Sequence, residues 1–162
     1  MGLSVRRGRR SDARAFLELL TALAKFEKLK PPDKRTSRRL LEDVFTRDRL
    51  GLFVATLGTE VVGYALYFYS YSSFLGRPTF YLEDIFVSEE HRAKGIGTSL
   101  FRRCLKEAAS KGCGRMEWAV LTWNRNAIRF YEKAGARRLD DWHVYRLASD
   151  QFGMTAAALG KN

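Results

Sequence analysis

The chain has 162 residues, 46% of them hydrophobic, two cysteines and a formal net charge of +11. That is the length of one ordinary domain with a core of its own, and a single domain over 1–162 is expected. No run of about 18 apolar residues is present, which excludes a membrane-spanning helix.

The N-terminal stretch MGLSVRRGRRSDARAF carries arginines with no apolar run after them, so it does not read as a secretory signal. Cys104 and Cys113 are too few for a disulfide framework and lack zinc-ligand spacing; with His91 and His143 far apart, no metal site is expected. A reduced, cytoplasmic setting is the expectation. The 29 basic residues cluster at 6–10, 34–39 and 137–138. Such an excess points to anionic partners, namely nucleic acid, a phosphorylated cofactor or an acidic surface, or else to a solvated arginine-rich exterior.

In chain order, Val5 belongs to a short first strand. Ser11 can cap a helix over 12–28 with Phe16, Leu19, Leu20, Leu23 and Ala24 as its apolar stripe. Thr36 or Ser37 can cap a second helix carrying Leu40, Leu41, Val44 and Phe45. LGLFVATL and VVGYALYFYSY read as strands joined by a turn at Gly58-Thr59-Glu60, and TFYLEDIFV (79–87) as another. A helix over 95–111 closed by Gly112, a strand over 115–123, a helix over 124–135 and a last strand at WHVYRL (142–147) complete the chain. The order is β-α-α-β-β-β-α-β-α-β, an α/β protein with a mixed central sheet covered by helices. The Ala-rich tail after Phe152 is left unassigned.

HRAKGIGTSL (91–100) lies between an apolar strand and a helix. A helix N-terminus leaves amide groups unpaired, and the macrodipole favours an anion there. Gly95 and Gly97 let backbone approach an oxygen-rich group, Arg92 and Lys94 add charge, and Thr98 and Ser99 add hydroxyl donors. The ATP-loop pattern fails because the lysine precedes the glycines, and the dinucleotide fingerprint fails at Leu100. A plain glycine-rich helix start is the alternative.

Glu83 and Asp84 interrupt the apolar run FYLEDIFV. A carboxylate in a covered strand is costly without a partner, so each is a functional candidate; an ion pair with one of the arginines is the bland alternative. Period 2 puts the two on opposite faces, unable to form a side-by-side pair. Tyr131 shares helical spacing with Ala127, Ile128 and Ala134, which by pattern alone is core packing.

Arg92-x-x-Gly95-x-Gly97 after an apolar strand resembles the acetyl-CoA signature of the GNAT family of N-acetyltransferases. FYLEDIFVSEEHRAKGIG followed by WNRNAIRFYEKAGA is similar to the diamine (spermidine/spermine) and thialysine acetyltransferases within it, and the likeness covers most of the chain. The resemblance implies the GNAT fold, a homodimer, and acetyl-CoA as co-substrate. It implies that Arg92, Ala93, Lys94, Gly95, Ile96, Gly97 and Thr98 hold the pyrophosphate. Ile85, Phe86 and Val87 would meet the pantetheine and acetyl group, with Asn124 and Ala127 as further cofactor contacts. It implies direct attack by a primary amine, with Glu83 assisting deprotonation and Tyr131 protonating the CoA thiolate. Phe26, Glu27, Glu83, Asp84, Glu117, Trp118 and Ala119 match substrate positions. The chain departs from the diamine enzymes at Phe74, where they carry tryptophan, at Ser72, where they carry aspartate, and in its basic EKLKPPDK loop. A polyamine, a thialysine-like amine or a protein amine are the acceptors in view. A basic nucleic-acid-binding protein on the same fold is the alternative function.

Overall fold

In the computed structural model, which describes residues 2–160, the β-branched and aromatic segments assemble into one five-stranded sheet of order β1-β2-β3-β4-β5. The strands are β1 (Leu3–Arg7), β2 (Gly51–Leu57), β3 (Glu60–Ser72), β4 (Arg77–Val87) and β5 (Arg115–Glu117). Pairing is antiparallel from β1 through β4 and parallel between β4 and β5. A parallel pair needs a crossover, and α3 (Ile96–Ser110) supplies it. The expected α/β class with a mixed sheet is what the chain forms. The described chain divides into two compact units, one running through Ala119 and one beginning at Val120.

In the first unit, α1 (Ala13–Phe26) and α2 (Lys34–Phe45) precede β2. The α1 stripe Phe16, Leu19 and Leu23 packs with Leu52, Val54, Tyr64, Leu66 and Phe86 on one face of the sheet. The opposite face carries an aromatic stack: Phe53 and Tyr67 lie 4.9 Å apart, and Tyr67 and Phe80 4.5 Å apart. Arg103 of α3 sits 4.2 Å over the Phe53 ring, so α3 covers this face. Each buried side chain of this size contributes about 1.5–3 kcal/mol.

One irregularity in β4 decides where its acids go. Tyr67 faces Leu82 and Leu66 faces Asp84, so Glu83 is an extra residue, a β-bulge. Residues directly opposite in an antiparallel pair share a face. Leu82 therefore lies with Tyr67 on the α3 side, and Asp84 with Leu66 on the α1 side. The expected strict alternation through Glu83 and Asp84 does not hold, because the inserted residue resets the period.

Helix starts also differ from expectation. A 3-10 turn, Arg10–Asp12, leads into α1, and Asp12 rather than Ser11 ties it down. The Asp12 carboxylate accepts from the Arg9 amide at 2.7 Å and from Arg6 at 2.7 and 2.9 Å. For α2 the cap is Asp33, which accepts from the Thr36 amide at 2.7 Å; Thr36 is the donor, already inside the helix. β5 ends at Glu117, well short of residue 123.

In the second unit, α4 (Arg125–Lys133) is capped by Asn124, whose side chain accepts from the Ala127 amide at 3.2 Å. Gly135 ends it at φ +90°. The expected last strand, 142–147, is not a strand: its Trp142, Val144 and Tyr145 are exposed and no ladder pairs it among the described residues. Alternating apolar residues form a strand only where a neighbour offers free backbone groups, and here no such neighbour is paired with them. The unassigned tail contains α5 (Phe152–Leu159).

Candidate functional site

The glycine turn closes onto the start of α3. Ala93 and Gly95 both take positive φ, +60° and +76°, and Gly95 is the N-cap residue. No side chain caps the helix, and its first internal bond runs from the Ser99 amide to the Gly95 carbonyl at 3.0 Å. The amides of Ile96, Gly97 and Thr98 thus front the turn unpaired within the helix. A Cβ built on Gly95 would meet nothing within 4 Å, and one on Gly97 only Val87 Cγ2 at 4.0 Å. Open space faces three amides at the positive end of a helix dipole, which suits the pyrophosphate of a CoA thioester.

Arg92 and Lys94, expected as extra charge for that anion, also close the loop. Arg92 Nε donates to the Val87 carbonyl at 3.1 Å, and its guanidinium lies 5.0 Å from the Phe26 ring and 5.2 Å from that of Phe86. Lys94 Nζ donates to the Glu90 carbonyl at 2.9 Å. Arg92 so joins the end of α1, the end of β4 and the turn.

β5 pairs with β4 at Thr79, Phe80 and Tyr81 alone. From Leu82 to Val87, β4 is paired on its β3 side only, so alternate backbone groups there point to an unpaired edge. Ile85, Phe86 and Val87 lie in this stretch, leading directly into the turn. Across the ladder, a Cβ on Gly63 would come 2.8 Å from the Phe86 carbonyl oxygen, so the close approach of β3 to β4 requires glycine.

Asp84 is half-buried, and its carboxyl is pushed up to about 7, first by burial and then by the charges of Glu83 and Glu27. Burial likewise raises Glu27, at the C-cap of α1. Glu83 is exposed at the bulge. Glu27, at the end of α1, and Glu83, beside it on β4, thus both act on Asp84. Asp84 has no ion-pair partner among the described residues. Such a cluster favours a cation and can take a proton from it.

Of the other expected site residues, Phe26 is exposed at the end of α1 under Arg92. Glu117 pairs with Arg115 at 3.0 Å, Trp118 meets the Phe101 ring edge-on at 5.4 Å, and Ala119 is exposed. In the second unit Asn124 and Ala127 form the α4 cap, and Tyr131 is buried with its ring 5.3 Å from that of Phe130. Tyr64 was not singled out from the sequence. Its ring packs edge-on against Phe16 at 4.9 Å, and its buried hydroxyl has no hydrogen-bond partner among the described residues. A tyrosine rather than phenylalanine inside an apolar strand was the available signal.

Glu107 of α3, buried on the other face, is satisfied by Arg7 at 2.6 Å, Arg103 at 3.0 Å and Tyr69 at 3.4 Å, a structural network. Glu60, Glu90 and His91 form the one group of possible metal ligands among the described residues. They are exposed or half-buried, and His91 Nδ1 is held by Ser88 Oγ at 2.8 Å. No helix of the described residues is long and apolar enough to cross a membrane.

A turn of unpaired amides after a strand with one free edge suits the phosphates and arm of an acyl-CoA, and comparison with known proteins identifies the family. The acetyltransferase (GNAT) family model matches residues 14–136, so the chain belongs to that family and is an acetyltransferase. Use of acetyl-CoA as acyl donor is a general property of the family. The thialysine N-epsilon-acetyltransferase of Bos taurus is 35% identical over 158 residues, covering 90% of this chain and 92% of that one. The L-ornithine N5-acetyltransferase NATA1 of Arabidopsis thaliana is 47% identical over 90 residues, which is 56% of this chain but 40% of the plant protein's length. Among solved structures, an integron cassette protein from the mobile metagenome of V. cholerae shares the fold at TM-score 0.80 and 21% identity, covering 96% of this chain and 98% of that one.

Proposed function

We propose that the chain acetylates the side-chain amine of a small amino acid of the thialysine or ornithine kind, using acetyl-CoA. The observation that carries this reading is the half-buried Asp84, held under the charges of Glu83 and Glu27 on the strand that leads into the uncapped start of α3.

The acid cluster attracts an ammonium group, and an amine of pKa near about 10.4 must lose a proton before it can attack. Asp84 is the proton acceptor in this reading: burial holds it at about 7, nearer the amine than an ordinary carboxylate. Desolvation of the ammonium brings the two closer still. Exposed Glu83 receives the cation at the mouth of the cluster, and Glu27 adds charge from α1. Acetyl-CoA supplies the activated acyl group: a C–N bond forms, the C–S bond breaks, and the sulfur leaves as thiolate. The resemblance to the family gives Tyr131, in the second unit, the role of proton donor to that thiolate. The amides of Ile96, Gly97 and Thr98 hold the pyrophosphate, and the free β4 edge at Ile85–Val87 lines the acyl arm.

A polyamine fits less well, because a +11 chain repels a polycation at long range. The test is CoA-thiol release against thialysine, ornithine, lysine, spermidine, putrescine and a lysine peptide. The expected result is a kcat/KM for thialysine or ornithine at least about tenfold above spermidine, a difference of about 1.4 kcal/mol in transition-state binding. A clear preference for spermidine or for the peptide refutes the acceptor. In the same assay Glu83→Gln is expected to raise KM for the amine, and Tyr131→Phe to lower kcat, with acetyl-CoA affinity held.

A further inference from the structure

Tyr64 has an alignment with Asp84 that the ladder itself defines. Tyr64 stands opposite Phe86, and Leu66 opposite Asp84. Tyr64 and Asp84 are therefore diagonal neighbours on the α1 face, a spacing that an aromatic side chain spans. The bulge at Glu83 creates this relation, since without the extra residue Asp84 would share Leu82's face. The Tyr64 ring packs against Phe16 of α1, and its hydroxyl is buried with no partner among the described residues. A buried hydroxyl left unpaired is costly, and natural cores rarely keep one without a use for it.

We propose that Tyr64 is the positioning residue of Asp84, donating its buried hydroxyl to the Asp84 carboxylate whenever that carboxylate is charged. The inference rests on the reading of Asp84 as the proton acceptor. The groups facing Asp84 are Glu83 on its own strand, Glu27 from α1 and Tyr64 from β3. Arg92 is a cation near that face, held over Phe26 and Phe86. Burial and both glutamates oppose charge on Asp84; the Tyr64 hydroxyl is the group that favours it. The two respond to each other, for Asp84 and Glu27 in turn oppose ionisation of Tyr64, after burial. Tyr64 therefore stays a phenol throughout and serves as a donor. When Asp84 takes a proton from the amine, the need for the donor falls. Tyr64 so fixes the orientation of the base and limits how far its proton affinity climbs.

Tyr64→Phe removes one oxygen from a packed ring, and its melting temperature reports that the core is kept. The Asp84 titration is followed by NMR on protein with ¹³C-labelled aspartate, assigned by Asp84→Asn, alongside the pH dependence of kcat/KM. The expected result is an Asp84 midpoint raised by about one pH unit, a tenfold change in proton affinity. The acid limb of kcat/KM should move by the same amount, and activity should recover on the alkaline side. A purely structural role would lower kcat/KM equally at every pH. An unchanged Asp84 midpoint overturns the inference. A moved midpoint with an unmoved kcat/KM limb upholds Tyr64 as the partner of Asp84 and removes Asp84 as the base.

Discussion

Replacing Asp84 by asparagine should make the protein less sensitive to alkali, and the size of the effect follows from its surroundings. Its carboxyl lies near 7 in the folded chain against an ordinary value of 3.8. Three pH units at about 1.36 kcal/mol each set a ceiling of about 4 kcal/mol, and partial solvent access reduces this to about 2 kcal/mol. Below pH 4 the group is protonated in both states and costs nothing. Between 4 and 7 the unfolded chain releases its proton first, so folding stability falls as pH rises, and above 7 the loss is complete. Urea unfolding of both proteins at about pH 4.5 and pH 8 isolates this group, since every other titration is shared. The stability of Asp84→Asn relative to the parent should grow by about 1–1.5 kcal/mol between those conditions, part of the loss having already occurred at pH 4.5. Acetyl transfer should meanwhile fall by about a hundredfold, the contribution typical of a positioned proton acceptor. A stability difference that stays constant with pH, or changes in the opposite sense, refutes the placement of a buried acid at Asp84.

Asp12→Ala leaves the Arg6 fork and the Arg9 amide without their acceptor and should cost about 2 kcal/mol in urea unfolding. Because the Arg6 hydrogen bond holds Asp12 below the ordinary carboxylate value, that stability is present above about pH 4 and is lost as pH falls further. The gap between parent and variant should therefore close in acid. Gly63→Ala places a methyl 2.8 Å from the Phe86 carbonyl and should destabilise by about 1–3 kcal/mol in the same measurement. A Cβ on Gly97 meets only Val87 Cγ2 at 4.0 Å, so the melting temperature of Gly97→Ala should hold while acetyl-CoA affinity by calorimetry drops at least about tenfold. Equal affinity there would sink the reading of the α3 start as the pyrophosphate site.

Elements with a strong period were legible in the sequence. Phe16, Leu19 and Leu23 announce α1, and the glycine turn before α3 sits where its spacing predicts. What failed to show was whatever depends on a single residue against a partner far along the chain. The bulge at Glu83 exists only in relation to Leu66 and Tyr67, so FYLEDIFV by itself reads as an even strand and sends its acids to opposite sides. For the same reason the preference for Glu83 over Asp84 was drawn from resemblance, while the buried environment of Asp84 needed α1 and Tyr64 in place. Caps were misplaced by one to four residues because Ser11, Asp12, Asp33, Thr36 and Ser37 are all able to cap, and loop geometry chooses among them. WHVYRL has the alternation of a strand, but alternation describes a side chain's preference and not the presence of a neighbour.

The inserted residue in β4 divides that strand into two regions with separate histories open to them. Before it, Phe80 and Leu82 are the side chains on the α3 face; after it, Asp84 and Phe86 are the ones on the α1 face. A substitution at Glu83 edits one charge. Loss of that residue would re-address everything downstream as far as Val87, moving Asp84 and Phe86 from the α1 face to the face of the aromatic stack. Point substitutions around Asp84 and Glu27 therefore leave the frame of the strand intact, whereas a change in its length moves Asp84 itself off the α1 face.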